Sequence, residues 1–464
     1  MKGTQLNSGL QSKSSRFWVL ALTSLGFFMS MMDSMIVTTA STSIREDFHI
    51  TVGQLQWTLN AYNVSVAAFL LPGVAIGNKI GHRKLYEAGL LLFVLGSVFC
   101  AVAPNLALLV VSRIVQGVGA AVMTPMSMAI LSAAFPASER GRALGIWSGI
   151  GGLALIVGPA LGGVIVSDIG WPWIFWINVP IGLLTVILSH RRLSESILSG
   201  QWPSLLDSLL VVGASGGMVW ALSEFSTNQS HYAVIGGVVS CLIAVGFIAR
   251  QNYAAKPMVP LTLFKSPTFA GGAVATFLLY AAMYGVVFFF PQYLQVVTGA
   301  DALTAGLEIL PWTATLVLVS PFSGRAVDRF GERPIAVLGL VMQICGYFWI
   351  ALAILHSSSY WYFLFPLLCS GAGISLAGPA LQKAVLGAVD ASHIGVASGI
   401  FNTFRQLGGA VGTAVAVMAF YLFGDMTSRL SFSEGTSAAL AGSTVLTLLG
   451  VVIALVMGDS RRRG

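Results

Sequence analysis

The chain has 464 residues, 56% of them hydrophobic and only 9% charged, against about 25% charged in soluble globular domains. That excludes a soluble fold and points to a polytopic membrane protein, in which the formal net charge of +7 has a topological explanation before a nucleic-acid partner is needed. Cys100, Cys241, Cys345 and Cys369 sit singly in separate apolar runs, so neither a metal site nor a redox pair is expected.

Apolar runs long enough to cross a bilayer, which takes about 20 residues, recur fourteen times. They lie at about 17–40, 53–76, 85–103, 106–127, 143–167, 172–189, 205–223, 232–249, 268–290, 303–323, 334–355, 360–381, 397–422 and 437–457. The first lacks a small-residue cleavage site and is read as a retained span, not a signal peptide. Helices are expected because lipid offers backbone groups no other partner, and the runs are too long and too evenly apolar for barrel strands. With the N-terminus in the cytoplasm, the basic residues fall overwhelmingly on that side. They are Lys2, Lys13, Arg16, Lys79, Arg83, Lys84, Arg140, Arg142, Arg191, Arg192, Arg250, Lys256, Lys265, Arg325, Arg329, Arg333, Lys383 and Arg461 to Arg463. Arg45 and Arg429 fall outside, and Arg113 and Arg405 lie within spans. This bias predicts a multi-pass protein of the cytoplasmic membrane with both termini cytoplasmic.

Polar residues inside these runs are the candidates for function. Span one carries Asp33, where translocon scales place an aspartate at about 2.5–3.5 kcal/mol unfavourable. It is tolerated if it faces a wet cavity, pairs with a cation or is protonated; a fixed ion pair is the structural alternative. Span two carries Tyr62 and Asn63, and the loop after it holds Asn78, Gly81 and Arg83. Span four carries Arg113 and Gln116; the alternative for Arg113 is an arginine snorkelling near a helix end. A charged turn, Ser138 to Arg142, leads into a glycine ladder closed by Gly158, Pro159, Gly162 and Gly163. Its glycines allow close helix approach, and Pro159 removes a backbone donor. Tyr280, Tyr284 and Phe288 recur at spacing four on span nine, as an aromatic wall or as lipid-facing packing. Glu308 opens span ten, facing a cationic substrate or outside water. Asn402 and Arg405 lie on span thirteen. The basic tail Arg461–Arg463 is expected to sit near anionic lipid.

The chain also repeats itself. When Gly117 is laid on Gly371, then Gly119, Pro125, Ser138, Gly141, Ala143, Gly145 and Gly158 fall on Gly373, Pro379, Ser392, Gly395, Ala397, Gly399 and Gly412. In a register four residues different, Gly81, Arg83, Gly89, Leu90 and Gly96 fall on Gly331, Arg333, Gly339, Leu340 and Gly346. Residues 1–190 and 267–464 are therefore parallel copies of a six-helix unit, and 191–266 is a linker with two inserted spans. The copies differ where polarity is costly: Arg113, Gln116 and Pro159 correspond to Leu367, Ser370 and Thr413.

Met32–Val37, Arg113–Gly117, Gly158–Gly163, Trp173–Gly182 and the loop Gly324–Arg333, which includes Asp328, Arg329, Gly331 and Arg333, resemble the motifs of the fourteen-span drug:proton antiporter family of the major facilitator superfamily. The resemblance implies a major facilitator fold of two six-helix halves plus two inserted helices. It gives Asp33 the role of proton carrier and Arg113 a part in coupling, with Gln116 tuning the pair. It associates the Pro159 motif with export against protons. Asn78 departs from the family, which usually has aspartate there; the second copy keeps it as Asp328. A weaker latch in the first half is expected, or one carried by another residue.

The resulting expectation is a non-enzymatic, proton-coupled exporter of amphipathic drug-like compounds, monomeric, with no cofactor. Few intramembrane acids favour monovalent cations or neutral compounds over dications. Alternatives are a dedicated exporter of one metabolite or antibiotic and, less supported, a proton-coupled uptake symporter. With no nucleotide-binding loop in the sequence, a gradient supplies the energy. Tyr62, Asn63, Tyr280, Tyr284, Glu308, Asn402 and Arg405 are the candidates for binding substrate.

Overall fold

The computed structural model describes residues 13–195, 204–224, 230–254, 257–356, 359–390 and 393–458. Lys2, Lys256, Ser392 and the Arg461–Arg463 tail lie outside the described residues. Within them the chain is helical throughout, without a strand. The first part comprises α1 (Lys13–Asp47), α2 (Val52–Leu55), α3 (Trp57–Ile80), α4 (His82–Ala101), α5 (Leu106–Ala134), α6 (Ala137–Asp168), α7 (Trp173–Trp176) and α8 (Asn178–Arg192). Then come α9 (Leu205–Glu224) and α10 (Ser230–Tyr253). The remainder is α11 (Pro267–Val296), α12 (Ala302–Glu308), α13 (Leu310–Phe330), α14 (Glu332–His356), α15 (Trp361–Gly387), α16 (Ile394–Phe423) and α17 (Arg429–Val456).

Among the described residues, 13 helices are long and apolar enough to cross a membrane. The stretch expected as the tenth span, 303–323, is broken at Ile309 into α12 and α13, and α13 ends in the polar sequence Arg325, Asp328, Arg329. A second difference concerns Ser138–Arg142, expected as a turn. It is the first turns of α6, which starts directly after Pro136, extended at φ −62° and ψ 157°. Proline ends α5 and is compatible with helix initiation just after it, and Glu139 in the first turn suits the positive end of the helix.

Helices α1, α3, α4, α5, α6 and α8 form one bundle, and α11 and α13–α17 form the other. Equivalent glycines let equivalent helices cross. A Cβ on Gly89 of α4 would lie 2.9 Å from the Gly119 carbonyl of α5, and one on Gly339 of α14 would meet the Gly373 carbonyl of α15. The loops repeat as well: Gly81 and Gly331 close α3 and α13 with positive φ, 113° and 94°, where a side chain would be strained. The bundles meet along α3–α16, α6–α12, α6–α13 and α1–α11. Helix α9 covers the α3–α16 seam, burying Val219 between Val64 and Ala410. Helix α10 packs on α9 and presents Val234, Ile235, Val238, Leu242 and Val245 outward, as a lipid-facing helix does. An Arg250–Asp207 ion pair ties the two inserted helices together.

Helix α6 touches the second half at one end and stands clear of it at the other, while α3 and α16 stay in contact through Leu71 and Gly399. On the face opposite the basic loops, Gly163 of α6 lies against α12, where a Cβ would come within 2.7 Å of the Ala302 carbonyl and the Leu303 Cα. Gly306 packs reciprocally on the Pro159 carbonyl. Asp301 starts α12 by accepting the Thr304 amide at 2.7 Å. Hydrogen bonds from the Thr304 side chain and backbone hold its exposed carboxyl below the usual range. Toward the basic face, Gly145, Gly149 and Gly152 have no neighbouring atom within 4 Å of a Cβ position. The expected packing role of the ladder therefore applies to Gly158, Gly162 and Gly163, while Gly145 and Gly149 border open space.

Candidate functional site

Two features compose the site: a dry polar cluster inside the first bundle, and a central cavity between the bundles. The cluster is built where α1, α3, α4, α5 and α8 meet. Asp33, Arg113, Gln116, Asn178 and Ser97 are all fully buried. Arg113 donates from Nη1 to Asp33 Oδ2 in a buried ion pair. Gln116 Nε2 donates to Asp33 Oδ1 at 2.7 Å, and Asn178 Nδ2 to the same oxygen at 3.2 Å. Gln116 also accepts from Arg113 through Oε1 at 2.7 Å and donates to Ser97 Oγ at 2.9 Å. It thus holds both members of the ion pair, which is possible because Arg113 and Gln116 lie three residues apart on one helical face. Arg113 is further held by the Thr58 carbonyl, 2.8 Å from Nε, and by the Tyr62 ring, whose centroid lies 4.4 Å from the guanidinium carbon. Its Nη2 has no partner.

Arg113 is therefore not a snorkelling residue; it sits in the bundle interior with a counter-charge. Tyr62, a candidate for binding substrate, belongs to this cluster instead. Its phase on α3 turns the ring onto Arg113 and its hydroxyl to Ser30 Oγ at 2.9 Å. Asn63, its neighbour, is buried away from the cavity, with neither amide atom partnered. Sequence reasoning overlooked Asn178 and Ser97. Asn178 stood inside the quoted Trp173–Gly182 motif, and only the fold turns it toward Asp33.

The cavity has a volume of about 680 Å³ and is lined by both bundles. Ser34, adjacent to Asp33 on α1, lines it, while Asp33 points to the other side of the helix. Tyr280, Tyr284, Asn402 and Arg405 line it from the second bundle, as does Asn78 from the first. Phe288, two turns beyond Tyr280, is fully buried against Phe289, so α11 is an interior helix and its aromatic row is not lipid-facing packing. Glu308 does not line the cavity. The break between α12 and α13 places it beside Tyr360, whose hydroxyl donates to the Glu308 carbonyl at 2.9 Å.

The two loop motifs make different contacts. In the second bundle Lys383 of α15 donates to Asp328 at 2.6 Å and lies 3.7 Å from Glu332. In the first, Asn78 meets His82 at 2.9 Å, and the position matching Lys383 is Ala129. A carboxylate does reach this loop from elsewhere, that of Glu195, just beyond α8. Its oxygens accept the backbone amides of Arg83 at 3.0 Å and Lys84 at 3.1 Å, at the start of α4. The Arg83 side chain lies 3.8 Å from Glu195, 3.5 Å from Glu87, and donates to the Leu193 carbonyl at 3.1 Å. Arg329 lies over the Phe330 ring, and Arg333 starts α14 beside Glu332.

Two helical bundles related by an internal repeat, joined by α9 and α10 and enclosing a central cavity, define the architecture. The sequence profile of the Major Facilitator Superfamily matches residues 23–413. The chain belongs to this superfamily. Among its curated relatives is the multidrug resistance protein Stp of Mycobacterium tuberculosis, 34% identical over 89% of this chain and 77% of the relative. Another is the tetracenomycin C resistance and export protein of Streptomyces glaucescens, 30% identical over 88% of this chain and 76% of the relative. Among solved structures, an inward-facing bacterial homologue of the lysosomal transporter Spinster shares the fold with a TM-score of 0.69, over 96% of this chain and 98% of that one, at 16% identity. Like other superfamily members this chain is a multi-pass membrane protein, in which α9 and α10 are added to the two helical halves.

Proposed function

We propose that this chain is a monomeric proton-coupled antiporter that exports amphipathic drug-like compounds across the cytoplasmic membrane, with both termini cytoplasmic and no enzymatic activity. The observation that carries the reading is the place of Asp33. It is the one carboxylate among the described residues of the first bundle that is wholly buried, held by Arg113, Gln116 and Asn178, and its neighbour Ser34 faces the central cavity. Protonation of Asp33 removes the counter-charge of a guanidinium in a dry environment, which is costly unless α1 and α5 shift so that Arg113 gains another partner. Helix α1 transmits that shift. Gly158 and Gly162 of α6 pack on Met32, Met35 and Ile36, and the same end of α6 forms the seal with α12. Proton binding on one side of α1 is thereby linked to opening of the seal on the other, which is the requirement of alternating access.

A reconstituted transport assay tests this. Purified protein in liposomes with an imposed pH gradient should accumulate substrate uphill, and Asp33→Asn should bind substrate but fail to accumulate it. Uphill transport by the Asp33→Asn variant sinks the coupling assignment. A dedicated exporter of one compound is the second reading, supported by the named single-antibiotic relative; a susceptibility panel comparing wild type with Asp33→Asn separates it from a broad exporter. Uptake by symport has less support, because the motif of α6 that contains Pro159 resembles the one associated with export against protons.

A further inference from the structure

The formal charge lining the central cavity is of one sign, amid neutral hydroxyl and amide side chains. Among the described residues that line it there is no aspartate or glutamate, and the one permanent charge is Arg405 on α16. Arg405 forms no ion pair or hydrogen bond among the described residues, and its guanidinium carbon stands 5.7 Å from the centroid of the Tyr280 ring. Two buried indoles that line the cavity add to this: Nε1 of Trp147 on α6 and Nε1 of Trp312 on α13 have no acceptor. Indole nitrogens only donate, and guanidinium only donates. An unmatched donor in a low-dielectric site is costly until an acceptor arrives. Aromatic and thioether groups share the lining with hydroxyl, amide and aliphatic side chains: Trp147 is stacked on Phe27 with centroids 3.8 Å apart, and Met31, Met35 and Met283 line the same space. Such surfaces accept flat apolar bodies of varied shape.

We infer that the cavity selects amphipathic aromatic anions, compounds that pair a flat ring system with a carboxylate, sulfonate or similar acceptor group. The ring system lies among Tyr280, Tyr284 and the Phe27–Trp147 stack, and the anionic group meets Arg405. The transport role proposed above for this cavity is its premise. A cationic compound would meet like charge from Arg405 and find no carboxylate, because Asp33 lies behind α1 and is already paired with Arg113. The expected charge preference therefore moves from monovalent cations or neutral compounds to anions. Arg405 has no counterpart in the first half, where the repeat places Gly151, so the charge is a property of this cavity and not of the helix scaffold.

Equilibrium binding to the full-length protein in detergent, with no proton gradient, tests this separately from coupling. The probes are two xanthene dyes of similar ring system, anionic fluorescein and cationic pyronin Y, followed by fluorescence polarisation. Wild type should bind fluorescein at least about tenfold more tightly than pyronin Y, the scale of one charge-assisted contact. Arg405→Gln should lose about that factor for fluorescein and not for pyronin Y, and Arg405→Lys should restore part of it. Folding of both variants is checked by their elution as single peaks and by pyronin Y binding. Equal binding of the two dyes, preference for pyronin Y, or unchanged fluorescein binding in Arg405→Gln overturns the inference. Because no gradient is present, proton coupling can fail in the liposome assay while this charge preference holds, and the converse outcome is equally distinguishable.

Discussion

Asp33 and Arg113 show how far one residue's surroundings alter its meaning. A buried ion pair contributes little net stability, because desolvation offsets attraction, but removing one partner costs about 3–5 kcal/mol. Asp33→Asn should therefore lower thermal stability in detergent as well as coupling. The double variant Asp33→Asn/Arg113→Gln, which leaves no unpaired charge, should recover most of that stability without recovering uphill transport. If the double variant is less stable than Asp33→Asn alone, the pair is not the isolated unit described. Both residues were legible in the sequence because charge in an apolar run is conspicuous. Their contact was not, since it depends on the relative rotation of α1 and α5. Asn178 and Ser97 were harder still: a neutral polar side chain in a span is common and marks nothing until its neighbours are known.

At the scale of elements, the first-half loop shows one device substituted for another. Asn78 carries no charge, and the carboxylate of Glu195 caps α4 instead, accepting two amides where the helix dipole is positive. Glu195→Gln should cost about 0.3–1 kcal/mol in thermal unfolding and slow transport by loosening the α3–α4 loop. Adding Asn78→Asp to that variant should restore the rate in part, and an unaffected rate in Glu195→Gln would show that the cap is not the latch. The helix α6 makes a second case. Its glycines looked uniform in sequence, yet Gly163 touches α12 and Gly149 touches nothing. Gly163→Val should therefore wedge the seal open, increasing labelling of cavity cysteines from the face opposite the basic loops, whereas Gly149→Val should not. Equal labelling in the two variants would place the seal elsewhere.

For the whole molecule, α6 meets the second half on one face and leaves open space on the other. Transport requires that arrangement to reverse. A cysteine pair at Gly163→Cys and Leu303→Cys, in a chain whose native cysteines are replaced, faces across the α6–α12 contact; a Cβ at 163 would fall 2.7 Å from the Leu303 Cα, so the helices must ease apart slightly to admit the bridge, less than for the branched valine. Oxidation should abolish transport while leaving dye binding through the open end intact, and reduction should restore transport. Continued transport by the oxidised protein would exclude the α6–α12 contact as a gate. Helices α9 and α10 enter at this scale too: α9 bridges α3 and α16 beside the same seam, which puts the inserted pair in a position to move with both halves.

The sequence alone determined the membrane class, the placing of the apolar spans, the internal repeat and the list of costly polar residues. Each follows from local composition, because lipid imposes one rule on every span and a buried charge stands out against it. The tertiary structure decided which of those residues act together. It sent Tyr62 to the ion pair, left Glu308 outside the cavity and broke the tenth span at Ile309. It also found in Glu195 the carboxylate that Asn78 lacks, and left Arg405 as the unpaired charge of the cavity. Those outcomes depend on helix rotation and on contacts between residues far apart in the chain, which no local pattern encodes.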